Sequence, residues 1–279
     1  MTSWRPLPDY YCFPETPRAL GKFLDELMKP LQPHVPTCKP VALLVPHDHY
    51  LFSGRTAAFA FARIHRWVPK RIVFINASSQ LNFSGLSLYS RSSFKTALTS
   101  SPADREFRNI LKKRLDCICP ENHDEAHHIS MPLSYVQHIY TYDDKIPVVS
   151  LLLGEEASDF HVGLGKELAA ALSEDDLLIC TSDLDTQFAR NSDGRQGAIT
   201  LTRIQNGDIS GLMEGLQQGI CALSASAAVV TMMSCCAARG VPEGFLLDYG
   251  CTTTFDTREH WITGFASVSF EKRILEDEL

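Results

Sequence analysis

Apolar residues are grouped along the chain in short runs that alternate with segments of helical period. Continuous apolar runs bounded by polar or turn residues indicate buried strands. In the segment 20–31, by contrast, apolar side chains recur every three or four positions, as on one face of a helix. Strands are predicted at residues 41–45, 71–76, 146–154, 176–184, 242–250 and 261–270. Helices are predicted at residues 20–31, 54–64, 103–115, 159–172, 208–219 and 224–240.

This alternation predicts an α/β protein. Strands that alternate with helices favour a central sheet, mostly parallel or mixed, with helices on both faces. We find no long linker and no internal repeat, so the pattern indicates a single domain over residues 1–279. In such sheets, binding sites collect at the carboxyl ends of the strands.

Composition narrows the class of protein without naming a function. Hydrophobic residues make up 44% and charged residues 21% of the chain, and the formal net charge is −7. These values are ordinary for a soluble protein and give no basic surface for nucleic acid. No apolar run is long enough to cross a membrane, and the first residues lack the pattern of a signal peptide. We therefore expect a cytoplasmic protein with reduced cysteines, no nucleic-acid partner and no membrane partner.

Polar residues with metal-binding or acid–base chemistry follow three of the predicted strands. His47 and His49 follow the strand at 41–45, Ser79 and Gln80 follow the strand at 71–76, and Asp183 follows the strand at 176–180. Imidazole next to carboxylate suits a divalent transition metal or proton transfer.

A further histidine cluster, at residues 122–131, includes His127. Less specific interpretations remain open for these residues. His47 could be solvated, the 122–131 segment could be a polar loop ahead of a helix, and Asp183 could cap a helix.

Several ordered motifs resemble the Memo-like family, which also includes the AmmeMemoRadiSam system protein B group. The most specific is PHDHYLFSGRTAAFAF at residues 46–61, similar to the family pattern P-H-A-G-Y-x-Y-S-G-x-x-A-A-x-A-Y. Weaker matches keep the family's order: CFPETPRAL (12–20), RIVFINASSQ (71–80), AHHISMPLSY (126–135), IPVVSLLLG (146–154), TSDLDT (181–186) and CALSASAAVV (221–230). The resemblance implies a fold like that of the class III extradiol dioxygenases.

The resemblance also implies a site. His47 and Cys221 correspond to ligands of an iron or copper ion, Asp183 to the aspartate beside it, and His127 to a histidine that would act as acid or base. Other positions depart from the family pattern. Where it has histidines, this chain has Ser79, Gln80 and Thr186. One imidazole and one thiol are few ligands for a stable redox site, although His49 could supply another.

Two functions follow from these residues. The first is a metal-dependent oxidoreductase of dioxygenase type, with iron or copper held by His47, His49 and Cys221. The second is a degenerate cleft that binds a small molecule, a peptide or a protein partner. The resemblance implies phosphotyrosine peptides as ligands.

Tyr50 is one of several aromatic residues that could line the cleft, or that could instead pack the N-terminal segment onto the core. We favour the binding function, because the family's histidines at positions 79, 80 and 186 are replaced together.

Overall fold

The computed structural model of the chain describes residues 14, 16–34, 38–78, 83–115, 117–118, 129–140, 146–154, 156–188, 195–255 and 260–271. Within these residues the helices are α1 (Pro17–Met28), α2 (Tyr50–Ala62), α3 (Arg105–Arg114), α4 (Ser130–Ile139), α5 (Asp159–Ala171), α6 (Arg195–Gln205), α7 (Ile209–Gln217) and α8 (Ser226–Ala238). The strands are β1 (Ala42–Val45), β2 (Arg71–Ala77), β3 (Leu86–Leu88), β4 (Ser93–Lys95), β5 (Ser100–Pro102), β6 (Cys117–Ile118), β7 (Val148–Leu153), β8 (Asp176–Thr181), β9 (Asp185–Phe188), β10 (Phe245–Phe255) and β11 (His260–Phe270).

One mixed sheet organises the molecule. Its strand order is β10-β11-β1-β8-β2-β7-β3-β6, and β9 also pairs with β11. The central strands β1, β8, β2 and β7 are mutually parallel, whereas β11 runs antiparallel to β1, β9 and β10. Because parallel strands end at the same edge of a sheet, the segments after β1, β8, β2 and β7 emerge side by side.

Apolar side chains cover both faces of the sheet. On each strand, alternate residues point to opposite faces, so Leu43 and Phe74 enter one core while Leu44 and Val73 enter the other. Helices α1, α2 and α4 cover the first face. Helices α3, α5, α6, α7 and α8 cover the second. The predicted α/β class, with a mostly parallel sheet between two helical layers, is confirmed.

Several helices begin where short polar residues cap them. Thr16 accepts a hydrogen bond from the backbone N–H of Ala19, and Pro17 occupies the first turn of α1. Asp104 caps α3 by accepting from the N–H of Phe107. The same carboxylate also binds the guanidinium of Arg71 in β2, which ties the start of α3 to the sheet.

The sequence pattern missed the less regular elements. Helices α4 and α6 and the short strands β3, β4, β5, β6 and β9 were not among the predicted elements. In the segment predicted as one strand, 176–184, only Asp176–Thr181 forms β8, and the following residues form the loop that leads to β9. Helix α2 was predicted to begin at residue 54, but it begins at Tyr50.

Within the described residues no helix combines the length and the apolar character that a membrane crossing requires. The strands from β1 to β11 share the one sheet, except β4 and β5, which form a separate two-stranded sheet, and the single domain over 1–279 stays a prediction.

Candidate functional site

His47 and Asp183 meet at the carboxyl edge of the central strands. Val45 and Thr181 are paired in register at the ends of β1 and β8, which sets the two following loops side by side. The N–H of Ser182 donates to the carbonyl of Val45, and the N–H of His47 donates to Asp183 Oδ1 at 3.1 Å. The second carboxylate oxygen, Asp183 Oδ2, lies 3.5 Å from Nε2 of His47. The imidazole therefore faces a carboxylate that the backbone already holds in place.

Ser224, in the loop before α8, completes this group. Its hydroxyl oxygen accepts a hydrogen bond from the N–H of Asp183 at 2.8 Å and lies 3.5 Å from Nδ1 of His47. The N–H of Ser224 donates to the carbonyl of Asp183, and the N–H of Ala225 donates to Ser182 Oγ. These bonds join the loop after β8 to the loop before α8, so the serine, the imidazole and the carboxylate keep a defined arrangement.

Solvent exposure falls from Ser224 through His47 to Asp183. Ser224 is exposed, the His47 side chain is 37% exposed, and Asp183 is only 6% exposed. Solvent or a ligand can therefore reach the hydroxyl and the imidazole, while the carboxylate is screened from solvent beneath them.

Burial raises the pKa of the Asp183 carboxyl above its ordinary value. The charge of Asp48 raises it further, whereas the charge of His47 and the backbone N–H groups of His47 and Asp48 lower it. A raised carboxyl pKa means that the folded protein binds this proton more tightly than the unfolded chain. The protonated carboxyl therefore adds to the stability of the folded protein. This contribution is complete at pH values below the ordinary carboxyl pKa, and it is lost as the pH rises through the raised pKa of the folded state. At neutral pH the ionised carboxylate therefore costs stability, which is typical of functional positions.

A cleft of about 590 Å³ adjoins this group, with Ser224 in its wall. It lies between the ends of β2 and β7 on one side and α7 and the start of α8 on the other. Its lining residues are Ala77, Ser78, Gly154, Glu156, Ala157, Met213, Leu216, Gln217, Ala222, Leu223, Ser224, Ala225 and Ser226. Among these described residues there is no lysine or arginine. The walls therefore offer hydroxyl and amide groups, aliphatic surface and one carboxylate.

Comparison with known proteins identifies the family. The family model for the Memo-like protein matches residues 11–269, nearly the whole chain. The chain belongs to the Memo-like family.

Curated relatives of this Memo-like chain align over most of their length. A MEMO1 family protein from Aquifex aeolicus is 27% identical over 241 residues, which cover 85% of this chain and 87% of the relative. Another, from Methanococcoides burtonii, is 22% identical over an alignment that covers 90% of this chain and 98% of the relative. A third, from Thermococcus onnurineus, is 24% identical over an alignment that covers 91% of this chain and 94% of the relative.

A solved structure also matches the fold of the Memo-like chain. The crystal structure of an uncharacterized Escherichia coli K12 protein aligns with a TM-score of 0.52 at 14% identity, over 82% of this chain and 98% of that one. At that identity the match concerns the fold alone. The likeness to extradiol dioxygenases stays a prediction.

The structure brings together only some of the site residues that the sequence suggested for this Memo-like chain. His47 and Asp183 are neighbours, as expected from their strand ends. His49 is partly buried at the start of α2, where its backbone carbonyl accepts from the N–H of Ser53. Thr186 is described only in its backbone, which pairs with Thr263 of β11. His127, Ser79 and Gln80 lie outside the described residues.

Tyr50 is not among the described residues that line this cleft. It begins α2 and is 3% exposed, with its ring against those of Phe23 and Tyr135. Its hydroxyl donates to the carbonyl of Met131, and burial raises its pKa. The alternative interpretation, in which the aromatic residue packs the N-terminal part of the chain onto the core, fits this position.

Cys221 lies in the apolar core. Its side chain is 3% exposed within the apolar core beneath α7 and α8, and its sulfur packs against Gly215. In the part of the chain that the structure describes, no three histidine, cysteine, aspartate or glutamate side chains are arranged to hold a metal ion. The described donors thus do not form a metal site, and binding of iron or copper stays a prediction that also involves positions outside the described residues.

Ser224 was not recognised from the sequence. It occupies a variable position within the CALSASAAVV motif, and no spacing rule connects it to His47 or Asp183. Only the folded loops bring its hydroxyl to them.

A double-mutant cycle tests the packing role of Cys221. A Cβ atom at Gly215 would lie 2.5 Å from Cys221 Sγ, so Gly215→Ala should lower the free energy of unfolding by about 1–2 kcal/mol through overpacking. Removing the sulfur with Cys221→Ala makes room for the new methyl group. The double variant should therefore recover at least about 1 kcal/mol relative to additivity in urea unfolding. Strictly additive effects would mean that the thiol does not pack against α7.

Proposed function

We propose that this Memo-like chain is a ligand-binding module whose site is the cleft at the carboxyl ends of β2 and β7. The observation that supports this most directly is the continuity of the cleft with the interlocked group of His47, Asp183 and Ser224. The cleft is concave and combines aliphatic surface with several converging polar groups, as small-molecule sites do.

The lining favours an uncharged or cationic ligand with an apolar body. Met213, Leu216 and Leu223 supply aliphatic surface, and Gln217 and Ser78 supply polar contacts. Phosphate recognition usually relies on arginine or lysine, and the described lining has neither. Glu156 at the cleft would further repel an anion. A phosphotyrosine peptide, which the family resemblance implies, is therefore a poor match for this cleft.

Close packing supports a preformed cleft. At Gly154, which lines the cleft, a Cβ atom would lie 2.4 Å from the backbone oxygen of Phe83, so only glycine allows the two segments to approach this closely. On the opposite wall the N–H of Ala157 donates to Ser226 Oγ. A cleft held by backbone contacts loses less conformational entropy when a ligand binds.

Blocking the cleft should abolish ligand capture. Ala222 lies in the wall and its N–H donates to Thr200 Oγ1, a bond that survives a change of side chain. We expect saturation-transfer NMR with a panel of small uncharged amides, alcohols and amines to give binders. Ala222→Trp should weaken them at least about 10-fold, because the indole occupies their volume.

Ala238→Trp is the matched control, because Ala238 is exposed at the far end of α8. It should leave binding unchanged. A phosphotyrosine peptide added to the panel should not bind. Binding that persists in Ala222→Trp, or a preference for the phosphopeptide, would contradict the proposed site.

A further inference from the structure

We propose that Ser224, His47 and Asp183 form a nucleophile–base–carboxylate group that hydrolyses small carboxylic esters bound in the cleft. This inference rests on the proposed function, because it uses the same cleft, and it adds a chemical reaction to binding.

The order of contacts is the one that such catalysis needs. The base must contact the nucleophile through one ring nitrogen and an orienting carboxylate through the other. Ser224 Oγ lies 3.5 Å from Nδ1 of His47, and Asp183 Oδ2 lies 3.5 Å from Nε2 of the same ring. With the imidazole proton on Nε2, toward the carboxylate, the lone pair of Nδ1 can accept from the serine hydroxyl once that hydroxyl turns away from the carbonyl of Asp183, which lies 3.3 Å from it. Both distances are at the long end of hydrogen bonding, as is common for such groups before substrate binds.

The surroundings of the three residues suit their roles. The nucleophile is exposed in the cleft wall, and the carboxylate is buried and held by the N–H of His47. Ser224 lies two residues before Ser226, the first residue of α8, a helix of 13 residues. The first-turn N–H groups of a helix have no acceptors within it. The start of α8 lies beside the cleft, since Ala225 and Ser226 line it, and N–H groups of this kind can stabilise negative charge on a carbonyl oxygen.

The reaction balances without any further reactant except water. Ser224 Oγ forms a bond to the ester carbonyl carbon while its proton passes to Nδ1 of His47. The ester C–O bond breaks, and the leaving alcohol takes that proton. Water then attacks the acyl-serine and gives its proton to Nδ1. Collapse of this second adduct releases the carboxylic acid, and the proton returns to Ser224.

The cleft also defines the substrate class. Its aliphatic residues, Met213, Leu216 and Leu223, fit an apolar acyl chain, and its lining carries no cationic side chain among the described residues. We therefore infer an uncharged or cationic ester with a short aliphatic acyl group, rather than a phosphate ester or a polycarboxylate.

The test combines covalent labelling with turnover, using the full-length protein. We expect an alkyl fluorophosphonate probe to label wild-type protein on Ser224, located by peptide mass spectrometry. We also expect hydrolysis of p-nitrophenyl butyrate above the uncatalysed rate. Ser224→Ala and His47→Ala should each lower labelling and turnover at least about 100-fold. Asp183→Asn, which keeps a side-chain oxygen for the backbone, should also lower both.

Two exposed residues away from the cleft supply matched controls. Ser92→Ala and His34→Ala should leave labelling and turnover unchanged. Circular dichroism on every variant verifies folding. Absence of label from Ser224 in folded wild-type protein, or labelling that His47→Ala leaves unaffected, would overturn the inference. If the cleft still captures NMR fragments in that case, only the hydrolysis fails. If it captures none, the binding function fails with it.

Discussion

Replacing Gly165 with alanine should destabilise the protein by about 2–3 kcal/mol, although alanine is the better helix former. Gly165 lies in α5 where that helix crosses α8. A Cβ atom there would lie 2.4 Å from the backbone oxygen of Thr231, 2.6 Å from Cβ of Ser234 and 2.9 Å from the backbone nitrogen of Cys235. Two of these atoms are backbone, so the helices must separate. Overpacking of this kind costs about 1–3 kcal/mol or more, against a helix-propensity gain of less than about 1 kcal/mol.

Gly163, two residues earlier in α5, is the control for this substitution. It is exposed, and a Cβ atom there meets nothing within 4 Å. Gly163→Ala should therefore raise the free energy of unfolding by about 0.5–1 kcal/mol. Chemical denaturation of the two variants measures both effects. If Gly165→Ala and Gly163→Ala changed the free energy of unfolding equally, α5 and α8 would not be in backbone contact at residue 165.

Loss of the Arg71 guanidinium should be the other large effect. Arg71 binds Asp104 and Asp176, each at 2.9 Å, and lies over the ring of Phe107. Asp176 is only 1% exposed, so Arg71→Met would leave a buried carboxylate without its cation. Breaking a buried ion pair in this way costs about 3–5 kcal/mol. We expect a matching fall in the free energy of unfolding, measured in urea.

The adjacent aspartate provides the comparison. Asp175 pairs with Lys39 at 2.6 Å, but both side chains are largely exposed. Lys39→Met should therefore change stability little, since water and salt screen exposed pairs. If Lys39→Met lowered the free energy of unfolding as much as Arg71→Met does, the assignment of the Arg71 pair as buried and of the Lys39 pair as exposed would be wrong.

The sequence predicted the centre of the fold well because burial leaves a direct signature. The strands β1, β2, β7 and β8 are covered on both faces, so each is a continuous apolar run. The meeting of His47 and Asp183 followed from this, since parallel strands that end together carry their next residues together. The irregular elements gave no such signal. Strand β9 is short, and helix α6 follows a polar stretch that resembles a turn.

The burial of Tyr50 and Cys221 has a common physical explanation. Aromatic and thiol groups can line a pocket or fill a core, and composition does not separate these cases. Tyr50 became a core residue because α2 starts at it and turns its ring toward α1 and α4. Cys221 became a core residue because Gly215 leaves space for its sulfur. Ser224 is brought to His47 by hydrogen bonds between its own loop and the loop of Asp183, 41 residues earlier in the chain. No local sequence pattern encodes these bonds.

Strand β11 has a consequence for synthesis on the ribosome. It is inserted between β10 and β1, and its Gly264 accepts the hydrogen bond from Leu184 that anchors the loop after Asp183. Translation delivers this strand last among the described elements. A nascent chain that has emerged only through β10 lacks one of the two strands that pair with β1 and the acceptor that anchors that loop. The carboxylate next to His47 should therefore reach its final position only after the end of β11 has left the exit tunnel.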